Sequence, residues 1–390
     1  MIYEIDWSKL GLKENPFPMS PPDDPAKAVW AGMRNLKSDF DRILKEARGS
    51  APTQVILARG PVGGGKTHAS LYFSEISNWP TQNPGVKEIH VLRVPTPKET
   101  GKPDRDFYID VMEYIGLDNL RDVIRREIDH LGFDAVRQAL RRTLVSQDLT
   151  EALLRLGDEE PNQLLDAYFI GKCTNSELRK LKLNRNIDKT QDYFRVIAGV
   201  FQCLTGLSES HDLTQHSRVC LWLDEMEDFI YFAPAQYRPF GQGLRELVDR
   251  VPFFFTLFLN FTLSSSEEFE EIELVLGKYL VDRVTQSVFF DELTEDEMLD
   301  YTKELLEIYA ASDRKTLTTK GRDYFPFEKD ALQLLFTNME RRTPRNVNKR
   351  ARNAIFKAFE RGLFANQKGD LIQRSLIQDM TSEELDKELG

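Results

Sequence analysis

The residue run with the clearest chemical meaning is GPVGGGKT, which extends from Gly60 to Thr67. It fits the Walker A pattern G-x-x-x-x-G-K-[ST] and lies between an apolar run, TQVILA, and a helical stretch, HASLYFSEIS. Glycines allow successive backbone N–H groups to converge on a polyphosphate, and the following helix adds its positive end. The run therefore predicts a phosphate loop and not an ordinary glycine-rich turn. Its predicted nucleotide contacts are Gly60, Gly63, Gly64, Gly65, Lys66, Thr67 and His68.

Two side chains of this loop have separate predicted roles. Lys66 is placed to reach the terminal phosphates of the nucleotide, and the hydroxyl group of Thr67 is a ligand for magnesium. We therefore expect ATP and Mg²⁺ as the bound cofactors.

A second apolar run ends in two acids, Leu221-Trp-Leu-Asp224-Glu225. This is the form of a Walker B element, in which the aspartate supports the magnesium ion and the glutamate orients and deprotonates an attacking water molecule. Acid pairs often follow apolar runs, so the interpretation depends on the phosphate loop in the same chain. The further acids Glu227 and Asp228 are interpreted as charges at the start of a helix.

A third polar position follows another apolar run, FFFTLFLNFT. Asn260 lies near the end of this predicted strand, where a side chain would face the γ-phosphate. We predict that Asn260 aligns the attacking water, with Thr262 as the alternative. An asparagine that only caps the strand end is the non-functional interpretation.

The elements that must position these residues can be read from the alternation of apolar and helical patterns. Five continuous apolar runs predict buried parallel strands, and strands that alternate with helices predict a doubly wound α/β sheet. The predicted strands are Thr53 to Ala58, Glu88 to Val94, Arg218 to Leu223, Phe253 to Thr262 and Thr285 to Phe290.

The remaining pattern divides the chain into predicted domains. Residues 1–50 form an N-terminal segment with an adenine-side helix, and 51–290 form the α/β nucleotide-binding domain. A helical insertion at 116–207 interrupts that domain. Residues 291–366 form an all-α lid, and 367–390 form a C-terminal tail whose end, SEELDKELG, is expected to be acidic and solvated.

Composition limits the class of protein. In 390 residues, 52 Lys plus Arg against 63 Asp plus Glu gives a net charge of −11, which argues against coating nucleic acid by bulk charge. No apolar run reaches the roughly 20 residues of a membrane helix, and the N-terminus lacks a secretory pattern. Three cysteines without metal spacing are expected to be buried and reduced, and the histidines show no metal spacing. We expect a cytoplasmic protein with no membrane partner.

Taken together, these motifs resemble those of the AAA+ ATPases, and within them the clade of origin-recognition initiators and clamp loaders. The resemblance covers about Asn15 to Leu363 apart from the insertion. It is carried by GPVGGGKT, LWLDE, the strand ending in Asn260, YLVDRVTQSVFFDELTEDEMLDYTKELL and TPRNVNKRARNAI. It implies an α/β fold, namely a parallel-sheet P-loop AAA+ domain with a helical insertion, followed by a small all-α lid domain.

The resemblance also implies two functional arginines. An arginine just before the fifth strand reaches the γ-phosphate of a neighbouring subunit in such families, and Arg283 has that place. A PR motif on the lid contacts the nucleotide of its own subunit and matches Pro344-Arg345. Alternatively, Arg283 is a surface arginine paired with Asp282 or Glu292, and Arg345 belongs only to a basic lid face.

Other basic residues leave the partner open. The lid carries the one clear basic cluster, which would contact nucleic acid or an acidic neighbour, or would be an ordinary solvated face. Its members are Arg341, Arg342, Arg345, Lys349, Arg350, Arg352, Lys357 and Arg361. The insertion also contains arginines with which it could bind a partner, an effector or nucleic acid: Arg121, Arg125, Arg126, Arg137, Arg141 and Arg142. Near the N-terminus, Trp30 to Met33 are candidates for contact with the adenine base, with Arg34 one place later than the family's arginine.

The leading hypothesis is a Mg²⁺-dependent ATPase that hydrolyses ATP at subunit interfaces and switches or assembles a nucleic-acid-associated complex. Replication, transposition and defence against mobile DNA are candidate settings. Its expected partners are copies of itself or other ATPase subunits, and DNA or RNA directly or through a partner. The alternative is an oligomerising signalling ATPase whose insertion senses a ligand. A small-molecule kinase is disfavoured, because Glu225 and the arginines suit attack by water.

Overall fold

The computed structural model describes residues 5–49, 52–80, 87–97, 101–158, 162–209, 212–231, 234–263, 269–312, 314, 322–364 and 370–387. Two compact units can be distinguished by their internal contacts. Unit 1 consists of Met1–Ser38, Gly60–Glu75 and Phe289–Gly390, and unit 2 consists of Asp39–Arg59 and Ile76–Val288.

A five-stranded sheet forms the centre of unit 2. The strands are β1 (Gln54–Gly60), β2 (Ile89–Pro95), β3 (Arg218–Asp224), β4 (Phe255–Thr262) and β5 (Gln286–Phe289), in the order β2-β3-β4-β1-β5. The β2–β3 and β3–β4 pairs are parallel, with Pro95 opposite Asp224 and Leu223 opposite Leu259. This confirms the predicted parallel α/β class, and every strand begins and ends within two residues of its predicted position.

The two central strands are buried on both faces, which explains why their sequences are apolar without alternation. All seven residues of β3 are buried. Trp222 of β3 stacks on Phe258 of β4 with ring centroids 3.7 Å apart, and Phe40 packs beside both rings. Phe40 belongs to α1 (Arg34–Gly49), so this helix covers one face of the sheet.

The chain between β2 and β3 is helical, as predicted for most of it. It contains α3 (Pro103–Ile115), α4 (Leu117–Leu131), α5 (Phe133–Leu144), α6 (Gln147–Asp158), α7 (Gln163–Phe169), α8 (Asn175–Leu181) and α9 (Thr190–Thr205). The hydrophobic core is continuous from the sheet into these helices. Helix α9 contacts both β3 and the later helix α10 (Pro234–Arg250). The insertion is therefore part of the core of unit 2 and not a separate lobe.

Most of the insertion's arginines are bound within the insertion. Arg121 is buried and pairs with Asp118 and Asp166. Arg137 pairs with Glu151 at 3.0 Å and also lies over a phenylalanine ring. These contacts reduce the positive charge that the insertion offers to a nucleic acid.

Unit 2 also contains two short helices before β5, which are α11 (Phe269–Leu276) and α12 (Lys278–Val281). The three cysteines of the chain, Cys173, Cys203 and Cys220, are free and buried as expected. Within the described residues, no helix has both the length and the apolar composition needed to cross a bilayer.

Unit 1 combines the phosphate-loop region with the all-α lid. Its helices are α2 (Lys66–Tyr72), α13 (Glu295–Ile308), α14 (Lys329–Phe336), α15 (Pro344–Glu360), α16 (Arg374–Gln378) and α17 (Ser382–Asp386). Helices α13 to α17 form the lid and share one apolar core, to which Leu10, Leu12 and Phe17 of the N-terminal segment contribute. An all-α region after the sheet is thus confirmed.

Residues 370–387, which we call the C-terminal segment, are packed into the lid. The expectation that the chain end SEELDKELG is only a solvated tail is therefore wrong for Leu385, although Ser382, Glu383, Asp386 and Lys387 are exposed as expected. Leu385 and Ile372 of this segment are buried in the lid core. The side-chain amide of Asn353 on α15 donates hydrogen bonds to the carbonyl groups of residues 384, 385 and 387 at 2.8–3.3 Å. The sequence pattern did not indicate this packing, because the acids lie on a short amphipathic helix and their partners are about 30 residues earlier in the chain.

We predict that Gly243→Ala destabilises unit 2. A Cβ added to Gly243 of α10 would lie 2.0 Å from the Phe194 ring of α9. The clash should cost about 1–3 kcal/mol, more than the gain of up to ~1 kcal/mol from helix propensity. Urea unfolding measures the difference, with Gly101→Ala as the control because an added Cβ there meets nothing within 4 Å. Equal stabilities of the two variants would contradict the tight α9–α10 contact.

Candidate nucleotide site

The phosphate loop, Gly60–Thr67, leads directly from β1 into α2. Gly63 and Gly65 have φ angles of 76° and 104°, which side-chain-bearing residues rarely adopt. Gly65 is the N-cap of α2, and no side chain caps the helix there. The cap position of α2 therefore supplies no side-chain acceptor of its own, as expected at a site for an anionic ligand.

Lys66 is held inside this loop. Lys66 is only 6% exposed, and its Nζ donates hydrogen bonds to the carbonyl oxygens of Gly60 at 2.8 Å and Pro61 at 2.9 Å. A buried ammonium group is costly unless it is hydrogen-bonded. The two carbonyl groups therefore fix its position within the loop.

The amino end of α15 lies against the same loop, within unit 1. The backbone N–H of Arg345 donates to the carbonyl oxygen of Gly63 at 3.4 Å. A Cβ on Gly63 would lie 3.0 Å from the Cβ of Arg345 and 3.1 Å from Oγ1 of Thr343. The lid arginine that the PR motif singled out is thus brought to the phosphate loop, and Gly63 permits the close approach.

The residues before α1 contact α2 and the lid. His68, which follows Thr67 on α2, has its Nε2 2.7 Å from the carbonyl oxygen of Val29. Burial lowers the pKa of His68, so its ring is neutral and Nε2–H donates this bond. Trp30 packs against Tyr72 and Phe73 at the end of α2.

Arg34 is engaged by the lid. It forms an ion pair with Glu304 at 2.8 Å, and the other carboxylate oxygen of Glu304 accepts from the backbone N–H of Gly32 at 2.6 Å. Glu304 belongs to α13, so the segment predicted to contact adenine is fastened to the lid helix. Met33 has a φ of 43°, which turns the chain at this point.

The second group of predicted site residues lies at the carboxyl ends of β3 and β4, in unit 2. We call Asp224, Glu225 and Asn260 the acidic edge. Oδ1 of Asp224 accepts from Nδ2 of Asn260 and from the backbone N–H of Glu225, both at 3.2 Å. The parallel β3–β4 register brings these side chains together.

The free oxygens of the acidic edge fit a magnesium ion. Oδ2 of Asp224 and Oδ1 of Asn260 are buried and have no hydrogen-bond partner. Unpartnered buried oxygens are costly, and carboxylate and amide oxygens are ligands of hard cations. Asp224 is therefore the residue of this edge that would hold Mg²⁺.

Arg93 is a neighbour of this site that the sequence analysis missed. Its Nη2 lies 3.8 Å from Oδ2 of Asp224. Arg93 is on β2, next to β3 in the sheet. The available signal was an arginine near the carboxyl end of the predicted strand EIHVLRV.

The backbone turns sharply after β3. Glu225 has a φ of 59°, in the left-handed region that costs a side-chain-bearing residue about 1–2 kcal/mol. Such outliers are concentrated at functional sites. Two residues on, Oε2 of Glu227 accepts from the backbone N–H of Thr262 at 2.9 Å, so Glu227 stabilises the end of β4 in addition to carrying an early helical charge.

Arg283 lies in the turn between α12 and β5. Its Nε donates to Oδ1 of Asp249 at 3.0 Å, and its side chain is 44% exposed. Its observed acidic partner is on α10 and is neither Asp282 nor Glu292, the two partners considered for a surface arginine.

The basic cluster of the lid is divided by the C-terminal segment. Arg350 is buried, with Nε and Nη2 bound to the two carboxylate oxygens of Asp386 at 2.8 Å. Lys357 pairs with Glu384 at 2.9 Å, and Arg361 pairs with Asp379 at 3.0 Å. These three cations stabilise the lid, and the cluster is not a uniform solvated face.

Several solved structures resemble the chain at low sequence identity, and they include origin-recognition proteins. The Aeropyrum pernix ORC1 protein in complex with DNA is 13% identical, covering 91% of this chain and 66% of that one, with a TM-score of 0.46. Drosophila ORC bound to DNA is 10% identical, covering 95% and 63%, with a TM-score of 0.44. The Aeropyrum pernix ORC2 protein in its ADPNP–ADP complexes is 11% identical, covering 94% and 73%, with a TM-score of 0.47.

The chain thus spans 66% and 63% of the length of the first two proteins. No family model matches the chain, and no curated protein matches it in sequence. The function proposed below is based on the residues of the phosphate loop and of the acidic edge.

We predict that His68 makes stability depend on pH. Its folded pKa is below the unfolded value of 6.5, so its stabilising contribution is present above pH 6.5 and is lost as the pH falls towards the folded pKa. His68→Gln keeps a donor for Val29 but does not titrate. We expect the free energy of unfolding of the wild type, relative to this variant, to decrease between pH 7.5 and 5.5. A constant difference would show that His68 is not held neutral.

Proposed function

We propose that the chain is a Mg²⁺-dependent ATPase. The observation that carries this proposal is the geometry of Asp224. One of its carboxylate oxygens is fixed by Asn260 and the Glu225 N–H group, while the other is buried without a hydrogen bond. A carboxylate with one fixed oxygen and one unsatisfied oxygen is suited to a cation, and the chain also contains a phosphate loop with a buried lysine.

Each residue then has a role in the reaction. Lys66 and the loop N–H groups bind the phosphates, and Arg345 contacts the nucleotide of its own subunit. Thr67 and Asp224 are the residues that would hold magnesium, and the ion would supply neutralisation of phosphate charge. Glu225 takes a proton from the attacking water, and Asn260 aligns that water.

Water, and not an acceptor alcohol, is the proposed nucleophile. A glutamate next to the magnesium-supporting aspartate is a general base for a small nucleophile. Asn260, fixed on the same aspartate, leaves its Oδ1 to accept a hydrogen bond or to coordinate a ligand. Hydrolysis to ADP and phosphate follows from this arrangement.

We further propose that the active site is completed by a neighbouring subunit, either a copy of this chain or another ATPase subunit. Arg283 is half exposed and is positioned by α10, which leaves it accessible to another molecule. A guanidinium group from a neighbour stabilises charge on the transferring phosphoryl oxygens and contributes about a thousandfold or more to the rate. Hydrolysis would then be coupled to assembly.

The assembly is proposed to act on a nucleic-acid-associated complex. The members of the basic cluster other than Arg350, Lys357 and Arg361 are Arg341, Arg342, Arg345, Lys349 and Arg352. They share one helix and the turn before it. Such a surface would bind phosphates of DNA or RNA, or an acidic partner protein.

One observation favours the alternative, an oligomerising signalling ATPase. The insertion shares its core with the sheet, and α9 contacts β3, the strand that ends in Asp224. A ligand or partner bound by the insertion could therefore change the acidic edge through packed side chains. Slow hydrolysis with ligand-triggered assembly would distinguish this function from nucleic-acid-stimulated turnover.

We predict that Lys66→Ala abolishes tight ATP binding, because the loop loses its buried cation. Glu225→Gln should bind ATP, but its rate of hydrolysis should fall by about a hundredfold or more, because an amide cannot accept the proton. Equilibrium nucleotide binding and steady-state hydrolysis measure the two effects. Glu227→Gln is the control, since a glutamine oxygen can still accept from Thr262. Normal turnover in Glu225→Gln would remove Glu225 from its role.

We also predict that replacing Arg341, Lys349 and Arg352 with Glu weakens binding to DNA or RNA. Each lost phosphate contact should reduce the slope of log affinity against log salt by about 0.9 on duplex DNA. Arg350 is left intact because its loss would uncouple the C-terminal segment. Binding is measured by fluorescence anisotropy over a range of salt concentrations.

The control for this experiment changes the same number of charges elsewhere, with Lys27, Lys45 and Lys180, which are exposed, replaced with Glu. Equal weakening in both triple variants would indicate an effect of net charge alone. If the wild type binds no nucleic acid at low salt with or without ATP, the proposal that the lid contacts DNA or RNA directly is wrong.

A further inference from the structure

A carboxylate on α10 holds two arginines from different elements of unit 2. Oδ1 of Asp249 accepts from Nε of Arg283 at 3.0 Å, and Oδ2 lies 3.4 Å from Nε of Arg245. Arg245 is one helical turn earlier on α10, whereas Arg283 follows α12. Asp249 thus brings together two guanidinium groups that are 38 positions apart in the chain.

The contacts engage the inner side of each guanidinium group. The approach to Asp249 is through Nε in both cases, as a hydrogen bond from Arg283 and an ion pair with Arg245, and among the described residues no hydrogen bond engages the terminal Nη groups of either arginine. Two cations and one anion give the cluster a net charge of +1. Such a cluster can still bind an anion, although Arg283 is ion-paired.

Arg245 is also fixed from its other side. Its guanidinium carbon lies 4.9 Å from the ring centroid of Tyr279, whose side chain is among the most exposed large apolar groups at 67%. Nε of Arg245 is buried and lacks hydrogen-bond geometry towards any partner. A stacked, partly desolvated arginine loses little conformational entropy when it binds a ligand.

The cluster adjoins a cavity of about 680 Å³ between α10, α11 and α12. Its lining includes three arginines (Arg238, Arg245 and Arg250), three acids (Glu246, Asp249 and Glu273) and the exposed side chains of Leu274 and Tyr279. The cavity therefore combines balanced charges with exposed apolar side chains. This combination suits an interface with a second protein molecule.

We propose that Arg245 and Arg283, held together by Asp249, form a two-arginine site for the terminal phosphates of the nucleotide bound by a neighbouring copy of this chain. The inference rests on the proposed function, in which Arg283 acts across a subunit boundary. It adds Arg245 as a second catalytic residue and Asp249 as a positioning residue.

Two arginines can contact more oxygens of a transferring phosphoryl group than one arginine can. A transferring phosphoryl group distributes negative charge over three equatorial oxygens, and a single planar guanidinium contacts two of them at most. A second guanidinium at a fixed distance can contact the remaining oxygen or the bridging oxygen of the leaving group. Because Asp249 already holds both groups, little reorganisation is needed when the neighbour docks.

Asp249 also prevents the two cations from separating. Without a carboxylate between them, the two like charges would repel each other. With it, each guanidinium group has an anionic partner on the same side chain. The carboxylate therefore lowers the net charge of the site but restricts the positions of the two guanidinium groups.

The test compares Arg245→Ala with Arg179→Ala, a control at an exposed arginine of α8 that does not line the cavity. We expect Arg245→Ala to bind ATP like the wild type and to lower kcat about a hundredfold, as for loss of one charge-stabilising donor. Arg179→Ala should hydrolyse normally. Arg245→Lys should recover less than a tenth of the lost rate, because an ammonium group lacks the planar fork. Circular dichroism establishes that each variant is folded.

The positioning role of Asp249 is tested with two substitutions. Asp249→Asn keeps an oxygen acceptor for Nε of Arg283, and Asp249→Ala keeps none. We expect kcat to fall by less than tenfold in the first and by more than tenfold in the second, with KM for ATP unchanged in both. Equal losses, or losses confined to KM, would overturn the positioning role.

Mixing experiments locate the site between subunits. Lys66→Ala has no competent nucleotide pocket but keeps its arginines, whereas Arg245→Ala and Arg283→Ala each keep the pocket. Adding Lys66→Ala to either arginine variant should restore part of the activity. If Arg283→Ala is inactive and is rescued while Arg245→Ala hydrolyses normally, the two-arginine site is wrong and the proposed shared site remains. If Arg283→Ala itself hydrolyses normally, both are wrong.

Discussion

The buried carboxylate of Asp224 is the constraint on which the acidic edge depends. Its side chain is one of the few charged groups inside unit 2, and only one of its oxygens is satisfied by hydrogen bonds. A carboxylate in this position is tolerable if a cation approaches it, and Arg93 lies 3.8 Å from the unsatisfied oxygen. The parallel β3–β4 pair, the placement of Asn260 and the strained turn at Glu225 all serve to present this group at the end of the sheet.

The lid shows a second use of buried charge. Arg350 and Asp386 form a bidentate pair that attaches the C-terminal segment to α15, the helix whose amino end approaches the phosphate loop. Breaking such a pair leaves a buried guanidinium group without compensation, which is strongly destabilising. The acids near residue 384 are therefore structural components of the lid that carries Arg345. They also reduce the basic surface that is left for a polyanion.

The strands, the phosphate loop and the acidic edge could be predicted from the sequence because they depend on local patterns. Continuous apolar runs indicate strands buried on both faces, and a polar residue at the end of such a run lies at a sheet edge. Arg93, Asp249 and Asp386 could not be assigned in this way, since their partners are distant in the chain and charged residues are common on surfaces. The pairing of Arg350 with Asp386 in particular needs three-dimensional packing, because neither residue departs from an ordinary amphipathic helix.

The contact between Gly243 and Phe194 has a mechanical consequence. Helix α10 meets α9 with no space for an additional atom at this point, and the ion pair between Arg195 and Glu246 joins the same two helices at 3.0 Å. Within the next six residues, α10 presents Arg245 and Asp249 towards α12. Helix α10 is packed against α9 on one side and carries Arg245 and Asp249 on the other. A displacement of α9 would therefore be transmitted to these two side chains, and through Asp249 to its hydrogen-bond partner Arg283.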